Sequence, residues 1–191
     1  MEGKNNSMSA FPNWQQHAVK QKRNQTGCIP TGYEIILRAA SCKGVNFETF
    51  QDEFDLDKDL KPGERPRNNF ETVAEAIRAK YPGIHFKHIR FAKGEGQKKF
   101  EAVESMISKK LPVLISLALA PFGGRGWHIM PVVDSTVDTL TLLWVVDENG
   151  VPQTKIIPKK DFVIVHESCE GGDDIAFLER PHDATASSTQ L

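Results

Sequence analysis

The feature that most limits how this chain can fold is a change of hydrophobic period near Pro112. Before it, apolar residues recur every three or four positions: Tyr33, Ile36, Leu37 and Ala40, then Phe70, Val73, Ala74 and Ile77, then Phe100, Val103, Met106 and Ile107. That spacing lays each set along one helix face. After it come short β-rich apolar runs at Pro112–Leu119, Trp127–Asp134, Thr139–Asp147, Gln153–Ile157 and Asp161–His166, each of the length of a buried strand. Asn149-Gly150 marks a hairpin turn between the third and fourth runs. Helices first and a meander of strands second specify an α+β fold with two lobes.

A chain of 191 residues suits a single domain with a sizeable core. Residues 1–24 are polar, with Trp14 as the one large anchor, and 25–168 carry the periodic pattern. The segment 169–191 has little apolar content and is expected to be a disordered tail. Within the domain, Asn46 is placed to cap a short helix through Phe47, Phe50 and Phe54. Gly44 is placed to end the helix before it. Asp52 to Asn69, acidic and then rich in Pro, Gly and Arg, is expected to be a solvated surface loop, and Ile84–Phe91 a short strand.

Composition excludes several functions. A net charge of −1 and a pI near 6.6 offer no field for nucleic acid or an anionic membrane. No apolar run approaches the roughly 20 residues of a membrane span, and the polar start lacks the apolar core of a secretory signal. Three cysteines make no disulfide framework, so a reduced, cytoplasmic setting is expected. No Cys-x-x-Cys or His-x-x-x-His spacing suggests a metal. Asp55-Leu56-Asp57-Lys58-Asp59 fails as a calcium loop, with Leu60 where glycine is required. Gly94-Glu95-Gly96 lacks the lysine and hydroxyl of a phosphate cradle. Neither cofactor nor metal is expected, and the oligomeric state is open.

Chemistry concentrates at three places. Gln25-Thr26-Gly27-Cys28-Ile29-Pro30 reads as a tight turn delivering Cys28 to a helix start, with Pro30 in the first turn. Unpaired amides and the positive helix end point there and favour a thiolate nucleophile. His128 opens a strand after the loop Gly123-Gly124-Arg125-Gly126-Trp127, and histidine is the side chain best suited to take and return a thiol proton near neutrality. Asp147 ends the next strand. In a hairpin the start of one strand lies beside the end of its neighbour, so Asp147 is expected to reach the far nitrogen of His128. The order is Cys, His, Asp, with gaps of 100 and 19 residues. Trp127, Gly126 and Gly124 would line the cleft and bind substrate.

These segments resemble a known family. Cys28-Ile29-Pro30-Thr31-Gly32 is similar to the Cys-Gly-Pro-small-small opening of papain-like cysteine peptidases of the bacteriocin-processing, double-glycine-leader type. Leu111 to Ser116 resembles the strand before their histidine. Gly126-Trp127-His128-Ile129 resembles their Gly-His-hydrophobic run, and Val145-Val146-Asp147 their Val-x-Asp. The resemblance implies a papain-like fold, an N-terminal helical lobe on a C-terminal antiparallel sheet. It also implies hydrolysis of a peptide or protein substrate after small residues such as paired glycines. The chain departs in having Ile29 after the cysteine and Lys22 at the oxyanion glutamine's usual position, six before it. Gln25, three before, and Gln21, seven before, are the alternatives, and a turn at Thr26-Gly27 favours Gln25. Two other readings stand beside the peptidase: a papain-like binding module without turnover, and the same triad used for acyl transfer, deamidation or deconjugation.

Overall fold

The structure is a computed structural model and describes residues 11–168 and 174–179. Its centre is helix α1, Cys28–Ala39, buried continuously from Ile29 to Leu37. That burial exceeds a one-faced stripe because α1 is enclosed between a sheet and two further helices, α2 (Phe50–Phe54) and α3 (Phe70–Lys80). Helix α3 opens with a capping box: Asn69 accepts from the Thr72 N–H at 2.9 Å, and the Thr72 hydroxyl accepts from the Asn69 N–H at 3.3 Å. The left-handed residue that ends α1 is Ser41, at φ 52°, and Cys42 N–H closes back on the Leu37 carbonyl at 3.1 Å. The expected stop at Gly44 therefore falls three residues late.

Six antiparallel strands form one sheet: β1 (Phe86–Ile89), β2 (Val113–Ala118), β3 (Trp127–Ser135), β4 (Thr139–Val146), β5 (Pro152–Pro158) and β6 (Ile175–Leu178), in the spatial order β1-β6-β2-β3-β4-β5. One face carries α4 (Gly96–Ser108) and α5 (Lys159–Ser168), where Val103, Ile107 and Phe162 meet Val113, Ile115, Leu117, Met130 and Leu142. The other carries the α1 lobe against Leu114, Ile129 and Ala176. Side chains alternate across a strand, so Leu114 can serve one core while Val113 and Ile115 serve the other. The helical first half and stranded second half expected of an α+β chain are both present.

Further expectations change. Asp161–His166 lies in helix α5, not a strand; Phe162 is its buried anchor, ring to ring with Phe100 of α4 at 6.3 Å, while Ile164 is left 58% exposed. Within the segment expected to be disordered, Ile175–Leu178 forms β6 and bridges β1 and β2. The N-terminal anchor is Phe11, 1% exposed among Ile35, Val133 and Leu143, with Trp14 packed at its edge. The remaining residues of 1–10, 169–173 and 180–191 lie outside the described structure. No helix among the described residues is long and apolar enough to cross a membrane.

Most of residues 58–69 lie on the surface as expected, but Asp55 to Asp59 is not a solvated acidic face. Asp55 and Asp57 are buried. Asp55 accepts from the Thr26 hydroxyl at 2.7 Å and the Asn68 amide at 2.8 Å, while Asp57 takes the backbone N–H groups of Arg67 and Asn68 at 2.8 and 2.9 Å. Asn68 also donates to the Thr26 carbonyl at 2.9 Å. Asp55 and Asn68 tie the loop to the turn that carries Cys28, and Asp57 braces the loop from within.

Candidate active site

The turn before Cys28 is closed by Gly27 N–H donating to the Arg23 carbonyl at 2.9 Å, one helical turn that is not continued upstream. A Cβ on Gly27 would lie 2.9 Å from that carbonyl oxygen and 3.2 Å from Gln21 Cγ, so a larger residue there would force the turn apart. This close approach sets Gln21 against Gly27, where its side chain also donates to the Arg23 carbonyl at 2.6 Å.

Cys28 stands between two cavities. The smaller, about 30 Å³ and so room for one or two waters, is lined by Cys28, His128, Gln21, Thr31, Gly32 and Trp144 among others. The larger, about 240 Å³, is lined by Cys28, Asn68, Asn69, Phe70, Ser116, Trp127, Ile129 and Asp174. The structure thus brings Cys28 and His128 to one site from the start of α1 and the start of β3. Trp127 lines the larger cavity with Cys28.

His128 is half-buried, and its Nε2 lies 3.0 Å from the Trp144 carbonyl oxygen. A carbonyl only accepts, so Nε2 carries the proton and Nδ1 is left as the basic nitrogen. The Trp144 indole meets the imidazole edge to face at 5.8 Å, and Lys155 Nζ lies 4.3 Å from the indole centre. Burial lowers the His128 pKa below its ordinary 6.5, with the Trp144 carbonyl acting in the other direction. The imidazole is therefore neutral at pH 7.

Asp147 is not brought to that ring. Its carboxylate accepts from the N–H groups of Asn149 and Val151, both at 2.9 Å, and from the Gln153 amide at 3.2 Å. These bonds hold its pKa below the usual carboxylate value. Just past the last β4 residue, the chain is already turning, and an aspartate there satisfies the turn's own donors. Gln25 is exposed and lines neither cavity, whereas Gln21 lines the smaller. Lys22 points away, to Asp52 at 2.8 Å. Gly124 and Gly126 also line neither cavity: a Cβ on Gly124 would come within 2.7 Å of Leu119 Cβ, and Gly126 supplies a left-handed φ of 74°. Both shape the loop ahead of β3.

The Cys28 thiol is not a preformed thiolate. Burial raises the Cys28 pKa above its ordinary 9.0. The N–H groups of Ile129, Ile29 and Cys28 pull against that rise, and the Asp55 carboxylate adds to it. The helix start alone was expected to lower it, but desolvation outweighs those amides. Iodoacetamide should accordingly label Cys28 at pH 7 more slowly than in the urea-unfolded chain. The rate should rise about tenfold per pH unit from 7 to 9, because only the thiolate reacts. Mass spectrometry of the labelled peptide reads this; a fast rate that ignores pH would show the thiolate already formed.

One residue that periodicity gave no reason to single out is Gln51 on α2, 4% exposed. Its amide bonds the backbone on both sides of Gln21 as well as Thr31 and Glu34 of α1. No sequence signal identifies it, since an isolated glutamine in a five-residue helix reads as surface.

Among the described residues no cluster of three or more His, Cys, Asp or Glu could hold a metal ion. No family model matches the chain, and no curated protein matches it. Among solved structures, it is similar to a Bacillus anthracis protein provisionally classed as a C39-like peptidase, with a TM-score of 0.51 and 11% identity, over 85% of this chain and 94% of that one. A likeness at that identity speaks to architecture: the chain has an α+β, papain-like fold, a helical lobe seated on an antiparallel sheet, shared with that structure.

Proposed function

We propose that this chain is a cysteine peptidase of the C39-like, bacteriocin-processing type, cutting an amide bond after small residues. What carries the reading is that Cys28, His128 and Gln21 line one cavity on this fold. With thiol and imidazole both neutral at rest, His128 Nδ1 takes the Cys28 proton as sulfur bonds to the substrate carbonyl carbon. The Trp144 carbonyl accepts from Nε2–H and steadies the imidazolium that forms. The developing oxyanion takes the Cys28 N–H and a second N–H from Gln21. The imidazolium then protonates the departing amine as the C–N bond breaks, leaving a thioester. Water, deprotonated by the same imidazole, releases the acid and restores the thiol. No metal or cofactor enters these steps. In this reading Asp147 acts at one remove, by fixing the hairpin that follows Trp144. The cavity beside Trp127, Phe70 and Ile129 receives the substrate residues next to the cut. A free thiol nucleophile suits a reducing, cytoplasmic setting.

A second reading, a papain-like binding module without turnover, is favoured by one observation: the Asp147 carboxylate is engaged in its turn, not on His128. Incubating the full chain with a peptide mixture that includes Gly-Gly sequences, and reading products by mass spectrometry, separates the two. Cleavage after small residues that is lost in Cys28→Ala, with the melting temperature kept, supports the peptidase. A folded wild type that cuts nothing favours the binding module.

A further inference from the structure

We propose that Gln51 is the positioning residue for the oxyanion donor, holding Gln21 in register with Cys28; the proposal rests on the peptidase reading above. The Gln51 amide uses all of its hydrogen-bonding capacity. Its Oε1 accepts from Lys22 N–H at 2.8 Å and from the Thr31 hydroxyl at 2.9 Å. Its Nε2 donates to the Lys20 carbonyl at 3.0 Å and to Glu34 Oε2 at 2.9 Å. The first and third bonds take the two backbone groups that flank Gln21, as a neighbouring strand would. The other two take Thr31 and Glu34, three and six residues into the helix that Cys28 starts. Glu34 is held in turn by Arg38 at 2.7 Å. Thr31 also lines the cavity shared by Cys28, His128 and Gln21. One buried side chain therefore spans the strap that carries the oxyanion donor and the helix that carries the nucleophile. Asp52, the next residue, secures the same strap through Lys22 at 2.8 Å and Arg23 at 2.7 Å. A donor displaced by about 1 Å from the oxyanion can cost a hundredfold in rate, so this bridge bears on turnover and not only on stability.

The test uses the full chain and the peptide that the wild type cleaves. Gln21→Ala should lower kcat by about a hundredfold, the loss typical of one oxyanion donor. Gln51→Ala should lower kcat by about tenfold or more with KM little changed. The double variant should be no slower than Gln21→Ala, because a misplaced donor and an absent one forfeit the same interaction. Methyl methanethiosulfonate, which has no carbonyl oxygen to place, should label Cys28 at the wild-type rate in all three. If Gln51→Ala does not fold, Gln51→Glu replaces it. The carboxylate keeps the acceptor for Lys22 and Thr31 but loses the donors to Lys20 and to Glu34, against whose buried carboxylate it now lies, so kcat should fall at pH 7 and recover toward acid as the new carboxylate and Glu34 together gain a proton. Losses that multiply in the double variant, or a Gln51→Glu enzyme with the wild-type pH profile, would overturn the positioning role. A Gln21→Ala enzyme with undiminished kcat would overturn the oxyanion reading instead, and a wild type that cuts no peptide the peptidase reading itself.

Discussion

On the proposed peptidase mechanism, His128→Ala is expected to lower kcat by about 10²–10⁴, the range of a lost general acid–base group, and to leave the melting temperature close to wild type because the ring lies at a cavity edge. Without the imidazole nothing takes the Cys28 proton, and burial has already made the thiolate costly. The same two shifts set the pH profile. The His128 pKa is lowered, so its neutral, basic form persists below pH 6.5 and is lost only as pH falls through the depressed value. The Cys28 pKa is raised, so the thiol stays protonated until above pH 9.0. kcat/KM should therefore be flat between these limits, with its acid limb below 6.5. Initial-rate measurements from pH 4.5 to 9.5 check this. An acid limb centred near 8, or a His128→Ala enzyme as fast as wild type, would remove His128 from the chemistry.

Asp55→Ala destabilises the fold by about 3–5 kcal/mol, the cost of breaking a buried charged cluster from one side. Asp55 is 1% exposed. Truncation strands the Thr26 hydroxyl, the Asn68 amide and the Asp57 N–H, which it receives at 2.7, 2.8 and 3.1 Å. It also leaves the Arg23 guanidinium, 3.7 Å away, without that carboxylate. Urea unfolding followed by tryptophan fluorescence measures the loss; a change under about 1 kcal/mol would mean that the cluster relaxes to water. Asp55→Asn keeps most of the geometry and removes the negative charge that pushes the Cys28 pKa up. Its Cys28 should therefore alkylate faster than wild type at pH 7, even though Asp55 is not placed to touch substrate.

What the chain discloses on its own follows from where physical constraints are local. Helices α1, α3 and α4 were readable because three-and-four spacing of large apolar residues reports one buried face wherever that face is buried. Strands β2 to β5 were readable because their runs are short, apolar and separated by strong turns. Cys28 and His128 stood out as candidates because few residue types can serve as nucleophile and base, and both sit near element starts marked by glycine; the structure brings them to one cavity. Local signals misled where packing overrode them. Phe162-Val163-Ile164-Val165 has strand-like residues, yet docking one ring, Phe162, on α4 favours a helix over the whole segment. Ile175–Leu178 is too short to announce itself and is a strand because two others stand ready to pair with it.

Most of the order of helices and strands, and the candidate pair Cys28 and His128, were thus legible in the residues themselves, since periodicity and side-chain chemistry are properties of the linear chain. Only the tertiary structure decided which glutamine lines a cavity with Cys28, that Asp55 and Asp57 are buried clamps, and that the Trp144 carbonyl rather than Asp147 bonds the imidazole. Hydrogen-bond partners separated by 16 to 42 residues are chosen by how loops settle against a finished core, and desolvation, which sets the charge state of Cys28, exists only once that core has closed.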